Sequence, residues 1–168
     1  MDVSGAFAVS CRHVIVCPNG VVDFVLGERY RPVDVAFAGA LNESYRQGLR
    51  YFVITYDIAC KYGVNFASRC LNKDPTAALI PTPDGPINVA FCVNKFHQES
   101  HDQNCRTKNA LNYTKFVGRT CGEGVETIWA KLNWLRYSTR EMTKGGRREI
   151  LSEHFNDWNW QKIVSIGK

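Results

Sequence analysis

Asp57 closes the run "RYFVITYD" (residues 50–57), and Glu123 and Glu126 stand three apart in "GEGVETIW" (residues 122–129). A carboxylate at the carboxyl end of a strand faces the crevice in which open α/β sheets bind their ligands. There it can hold Mg²⁺, an ion that takes oxygen ligands, usually one or two carboxylates completed by phosphates and water. Three or four such carboxylates can hold two ions that clamp the attacking and leaving oxygens of phosphoryl transfer. Each element also has a plainer use. Asp57 on its own is most simply the N-cap of a following helix. Glu123 and Glu126 share a helical face, where acidic residues in a first turn are ordinary partners of the helix dipole.

A third group is His97, His101 and Cys105. At a spacing of four, one helix would stack all three on a single face. Imidazole and thiolate suit Zn²⁺, which wants a fourth ligand, and "CRH" supplies Cys11 or His13, with His13 preferred. The competing reading is a polar helix whose histidines bond locally. Seven cysteines, an odd number at wide spacings with no C-x-x-C pair, argue against a disulfide framework in a reducing compartment, and most of them read as small buried hydrophobes.

The elements that must position these residues follow from the apolar pattern. "GAFAVS", "HVIVC" and "VVDFVL" read as short strands, the last two separated by the turn signal Pro18-Asn19-Gly20. From Pro32 to Gly48 the spacing predicts a helix. The β-branched and aromatic run from Phe52 to Tyr56 predicts a central strand buried on both faces, flanked by the helix after Pro32 and by one after Asp57 that Gly63 weakens. Residues 72–86 hold four prolines and read as a loop. "INVAFCVN" reads as another buried strand. "GEGVETIWAKLNWL" is helical with Val125, Ile128, Trp129 and Leu132 on its apolar side, and a long amphipathic helix or helix pair ends the chain. This order is mixed α/β and matches the later part of a ribonuclease H-like fold.

At 168 residues and 45% apolar the chain suits one domain, residues 1–168. It has neither a membrane-length apolar run nor a signal-like start, which reads as intracellular and soluble. Net charge is +5, with Arg136, Arg140, Lys144, Arg147 and Arg148 grouped near the C-terminal end. Such a stretch fits a polyanion surface or a solvated helix face.

The blocks "CRHVIVCPNGVVDFVLGERY", "YDIACKYGVNFASR", "KFHQESHDQNCR", "VGRTCGEGVETIWAKLN" and "STREMTKGGRREILSEHFNDWNWQK" occur in this order from about Cys11 to the end. Together they resemble the Kyakuja-Dileera-Zisupton (KDZ) transposases, a fungal group often found with CxC2-type cysteine clusters. The resemblance implies a ribonuclease H-like transposase core, nuclear, with DNA as partner and Mg²⁺ or Mn²⁺ as the ion of strand cleavage and transfer. It matches Asp57 to the aspartate of the family's Y-D-I-A-C block. Glu123 and Glu126 match the glutamates of its G-E-x-x-E-x-x-W block.

Two departures bear on activity. Cys121 stands where the family's T-D-G-E block has an acid. The family's first catalytic aspartate lies on a strand upstream of the C-x-R-H block, so the expectation is an inactive transposase core, truncated by its first strand. Its unpaired sheet edge would favour association with another chain. The alternatives are a non-catalytic nucleic-acid-binding module, and a divergent nuclease using Asp23 or Asp34 as its first carboxylate.

Overall fold

Strand β1 (Gly5–Ser10) and strand β2 (Val16–Phe24) open a computed structural model that describes residues 3–71 and 78–167. They are followed by α1 (Tyr30–Arg46), β3 (Tyr51–Thr55), α2 (Ala59–Tyr62), α3 (Phe66–Cys70), β4 (Asn88–Cys92), α4 (Lys95–Gln98) and α5 (Gln103–Lys108). Three helices complete the order: α6 (Gly124–Leu132), α7 (Leu135–Arg140) and α8 (Lys144–Ser165). The fold is mixed α/β. Residues 72–77 of the proline-rich stretch lie outside the described residues.

The antiparallel hairpin β1–β2 runs in register from Gly5↔Phe24 to Ala8↔Val21 and then jumps to Ser10↔Val16. Pro18-Asn19-Gly20 therefore does not separate two strands. It is a bulge inside β2, where Pro18 has no N–H to donate and Asn19 takes a left-handed φ of 57°. The chain reverses earlier, at Cys11–Ile15, with Val14 at φ 64° and Cys11 N–H donating to the Ile15 carbonyl at 2.9 Å. Helix α1 lies directly on the bulge. A Cβ at Gly39 would sit 2.1 Å from the Asn19 carbonyl oxygen, so only glycine fits there.

Alternation along the hairpin sends its side chains to two cores. Phe7, Val9, Val22 and Phe24 join Phe37, Leu41 and Tyr62 on the α1 side. Ala8, Val16 and Val21 join Ile128, Leu132, Leu135, Phe155 and Trp158 on the other. The hairpin is thus a middle layer between α1 and the C-terminal helices. Helix α8 is also tied by polar bonds: the Trp158 indole N–H donates to Val14 O at 2.7 Å, and the Asn159 amide brackets both backbone groups of Val16 at 2.7 and 3.0 Å.

Strands β3 and β4 pair in parallel from Tyr51↔Asn88 to Thr55↔Cys92. Among the described residues β3 has no second neighbour, which corrects the expectation of a central strand. Rings supply its burial instead. Tyr56, just past the strand, packs edge-on against Phe7, Phe37 and Tyr62 at centroid distances of 5.8, 6.3 and 5.4 Å. After Asp57 the expected helix is divided into α2 and α3 by a single tight turn at Gly63–Asn65.

Asp34 of α1 is 3% exposed. Its carboxylate accepts from the Tyr62 hydroxyl at 2.6 Å and from Arg69 Nε at 2.8 Å, joining α1, α2 and α3. The Arg69 guanidinium also lies over the Tyr62 and Tyr30 rings. Removing the cation leaves a buried charge with one hydroxyl for company. Arg69→Ala is expected to lower unfolding free energy by about 3 kcal/mol, measured by urea denaturation. In Asp34→Asn with Arg69→Leu, where the charges leave together, the loss should be much smaller.

Candidate functional site

Because β3 and β4 are parallel and end in register, their carboxyl ends open onto one crevice. Asp57 leaves β3 there, and Asn94, 3% exposed, leaves β4. The Asn94 amide donates to Asp57 Oδ1 at 3.2 Å. Asp57 is not a helix cap, since α2 begins after Ile58 with no side-chain cap bond. Helix α4 starts immediately after Asn94 and presents His97, whose Nδ1 lies 3.3 Å from Asp57 Oδ1 and 4.0 Å from Glu123 Oε2.

Glu123 occupies the N-cap position of α6 without capping it. Its Oε1 accepts the Phe96 N–H at 2.9 Å instead, which stitches α6 to α4. The turn before it is held by Lys95 N–H donating to Cys121 O at 3.1 Å. Gly122 is at φ 79°, and a Cβ there would lie 2.9 Å from Leu111 Cδ1, 3.3 Å from Thr55 Cγ2 and 3.4 Å from Asn94 Oδ1, so a side chain would push the turn off the site. Phe96, His97, Glu123 and Glu126 line an open cavity of about 370 Å³. The structure therefore brings Asp57, His97 and Glu123 together and sets Glu126 on the wall of the same cavity.

Two buried polar atoms here, Asn94 Oδ1 and His97 Nδ1, have no hydrogen-bond partner among the described residues. His97 Nδ1 is near Asp57 Oδ1 but not aligned for a hydrogen bond. A neutral Nδ1 lone pair facing two carboxylates is repelled. A proton on the nitrogen or a cation among the three groups removes that repulsion, and the donor set of carboxylate oxygens plus one imidazole suits a divalent ion. Burial pushes the Asp57 carboxyl above its ordinary range. His97 opposes that shift, while Glu123 and Glu28 add to it. Glu28, exposed at the foot of α1, also accepts a short hydrogen bond from the Tyr56 hydroxyl. Sequence reading did not single it out, and its one signal is its place just after the turn at Gly27.

The His97, His101, Cys105 stack does not form, because Asp102 caps a new helix by accepting the Cys105 N–H at 2.9 Å. His101 and Cys105 meet Cys60 of α2 instead, and the donor atoms of the three lie within 4.8 Å of one another, a group that could hold zinc. His97 belongs to the carboxylates. His13 faces Cys11 at 4.0 Å in the exposed hairpin turn. Asp23 is paired with Arg147 at 3.1 Å, and Asp34 with Arg69 at 2.8 Å.

Arg136, Arg140, Lys144 and Arg148 are exposed, whereas Arg147 is partly buried on Asp23 and Thr139. Exposed aromatics accompany these exposed cations: Trp134 at 61%, Tyr137 at 72% and, beside the cavity, Phe96 at 81%. No helix among the described residues is long and apolar enough to cross a membrane.

A family model described as Kyakuja-Dileera-Zisupton transposase matches residues 1–159. No curated protein and no solved structure matches the chain.

The raised Asp57 carboxyl has a definite thermodynamic sign. The folded state holds this proton more tightly than the unfolded chain, so the group favours folding at low pH and ceases to as pH rises from the ordinary value of 3.8 through the raised one. Asp57→Asn is therefore expected to raise the Tm of the metal-free protein at pH 7 and to remove part of its decline above pH 4. Paired thermal melts across this range measure both.

Proposed function

Because the chain belongs to the Kyakuja-Dileera-Zisupton transposase family, matched over residues 1–159 of 168, we propose that it is a transposase-derived domain that engages DNA at the Asp57 crevice. The observation that carries this is the convergence of Asp57, His97 and Glu123 within 4.0 Å contacts beside a cavity walled by Glu126. The order of antiparallel hairpin, long helix and parallel pair is compatible with a ribonuclease H-like core, although the two strand pairs form separate two-stranded sheets among the described residues.

In this reading Asp57, Glu123 and Glu126 hold Mg²⁺ or Mn²⁺. That ion would supply charge neutralisation for phosphoryl transfer. The chain's own groups do the rest. Asn94 fixes the Asp57 carboxylate by donating its side-chain amide N–H to it, and the Phe96 N–H fixes Glu123. His97 sits between them, with Nδ1 3.3 Å from Asp57 Oδ1 and 4.0 Å from Glu123 Oε2. Phe96, exposed on the rim, offers a face for a base to stack on. Arg136, Arg140, Lys144 and Arg148 then carry the phosphate backbone.

We further propose that this copy cuts DNA poorly, and that it acts in the nucleus as a DNA-bound remnant of the transposase. Cys121 puts a thiol where the resemblance expects an acid, immediately before the turn that carries Glu123. An ion short of one carboxylate is under-coordinated, and placement with charge stabilisation is most of what such centres contribute. The second reading, a binding module with no metal chemistry, is favoured by the exposed cations and exposed rings of α7 and α8.

One set of measurements separates these. Mn²⁺ is expected to raise the Tm of the wild type but not of Asp57→Ala, while plasmid DNA stays uncut. Arg136→Glu with Arg140→Glu and Arg148→Glu should weaken duplex binding and shallow its salt dependence by roughly one unit of slope per lost phosphate contact. Metal-dependent nicking abolished by Asp57→Ala and by Glu126→Ala would overturn the poorly active reading. A wild type that binds no DNA at low salt would overturn the DNA reading. Full DNA binding with no Mn²⁺ effect on Tm would favour the binding module.

A further inference from the structure

We propose that Cys60, His101 and Cys105 bind one Zn²⁺, with water in the fourth position, and that this ion clamps the helix after Asp57 to the segment that carries His97. The Sγ atoms of Cys60 and Cys105 lie 3.4 and 3.3 Å from the same atom, Nδ1 of His101. A neutral imidazole nitrogen has one lone pair and cannot serve two thiol donors well. A cation at the common centre satisfies all three. Bond lengths of about 2.3 Å to sulfur and about 2.05 Å to nitrogen give a tetrahedral edge of roughly 3.5 Å, close to the two distances seen.

Donor chemistry selects the metal. Two thiolates and an imidazole are soft to borderline ligands, which favour zinc over the Mg²⁺ or Mn²⁺ suited to the carboxylates nearby. Each thiol gives up its proton to solvent as the metal binds.

The surroundings hold the ligands in place without the ion. Asp102 accepts the Cys105 N–H, and Arg106 Nε donates to the His101 carbonyl at 2.8 Å. Asn109 places its Oδ1 3.8 Å from Cys105 Sγ while its amide donates to Phe91 O on β4 at 3.0 Å, tying the cluster to the sheet. Such outer contacts orient ligands and tune affinity. Cys60 is three residues beyond Asp57 and His101 four beyond His97. The clamp therefore sets the separation of Asp57 and His97 from behind, whether or not that pair acts on DNA.

The test uses the full chain purified under reducing conditions without chelator. Metal analysis should find about one zinc per chain, and X-ray absorption should find two sulfurs around it. Maleimide labelling mapped by mass spectrometry should show Cys60 and Cys105 protected with zinc and exposed by chelator. The exposed Cys11 and Cys121 should label equally in both states. Cys60→Ser and Cys105→Ser should lose the metal, and His97→Ala should keep it. Because labelling is done on the wild type, a misfolded variant does not blunt the result. Failure of the wild type to take up zinc, retention of zinc by Cys60→Ser, loss of zinc from His97→Ala, or a Cys60–Cys105 disulfide under these conditions overturns the proposal.

Discussion

The parallel ladder between β3 and β4 is the constraint from which the site follows. Its register ends both strands together, with Thr55 opposite Cys92, and so delivers Asp57 and Asn94 to the same edge in hydrogen-bonding reach. A slip of one residue would turn every side chain to the opposite face and separate them. What prevents the slip is burial. Ile54, Cys92 and Val93 are each under 6% exposed, and Tyr56 carries the ladder one bond further by donating its N–H to Cys92 O at 3.1 Å. Asn94 and His97 reach Asp57 on chain that leaves this edge from β4.

Stability and site chemistry pull against each other at that edge. Elsewhere the protein pairs its buried charge fully, as at Asp34, where hydroxyl and guanidinium meet one carboxylate. Around Asp57 it does not: Asn94 Oδ1 and His97 Nδ1 are buried without hydrogen-bond partners among the described residues, and carboxylates crowd the same side. Buried groups left in this state cost stability. Their concentration beside one cavity is what ordinary cap and dipole roles for Asp57 and Glu123 fail to explain, since neither residue caps the helix that follows it.

Much of the fold was legible because burial leaves a period. The spacing of Val33, Ala36, Ala40 and Leu41 marks α1, and that of Ile128 and Leu132 marks α6. The strand after Arg50 was legible as a strand but not as an edge, because a run buried by rings reads the same as one buried by flanking strands. Pro18-Asn19-Gly20 read as a turn because local chemistry cannot distinguish a turn from a bulge, and only the facing Gly39 decides it. Of the site, Asp57, Glu123 and His97 were visible as types in suggestive places. Glu28 and Cys60 were not, since their roles come from neighbours 29 and 41 residues away in the chain, Asp57 and His101.

The stretch from His97 to Cys105 shows how a single cap can decide which chemistry a sequence supports. Continued as one helix, it would present two imidazoles and a thiol on one face. Asp102 instead takes the Cys105 N–H and starts α5 afresh, so the helix carrying His97 ends at Gln98. His97 is then carried to the hard oxygen donors at the strand ends, while His101 and Cys105 swing to Cys60. The split sorts donors by softness, with carboxylates and one imidazole on one side and thiols and one imidazole on the other. Two unlike cations could be told apart by such an arrangement a few residues from each other, which a single mixed cluster of the same side chains could not do.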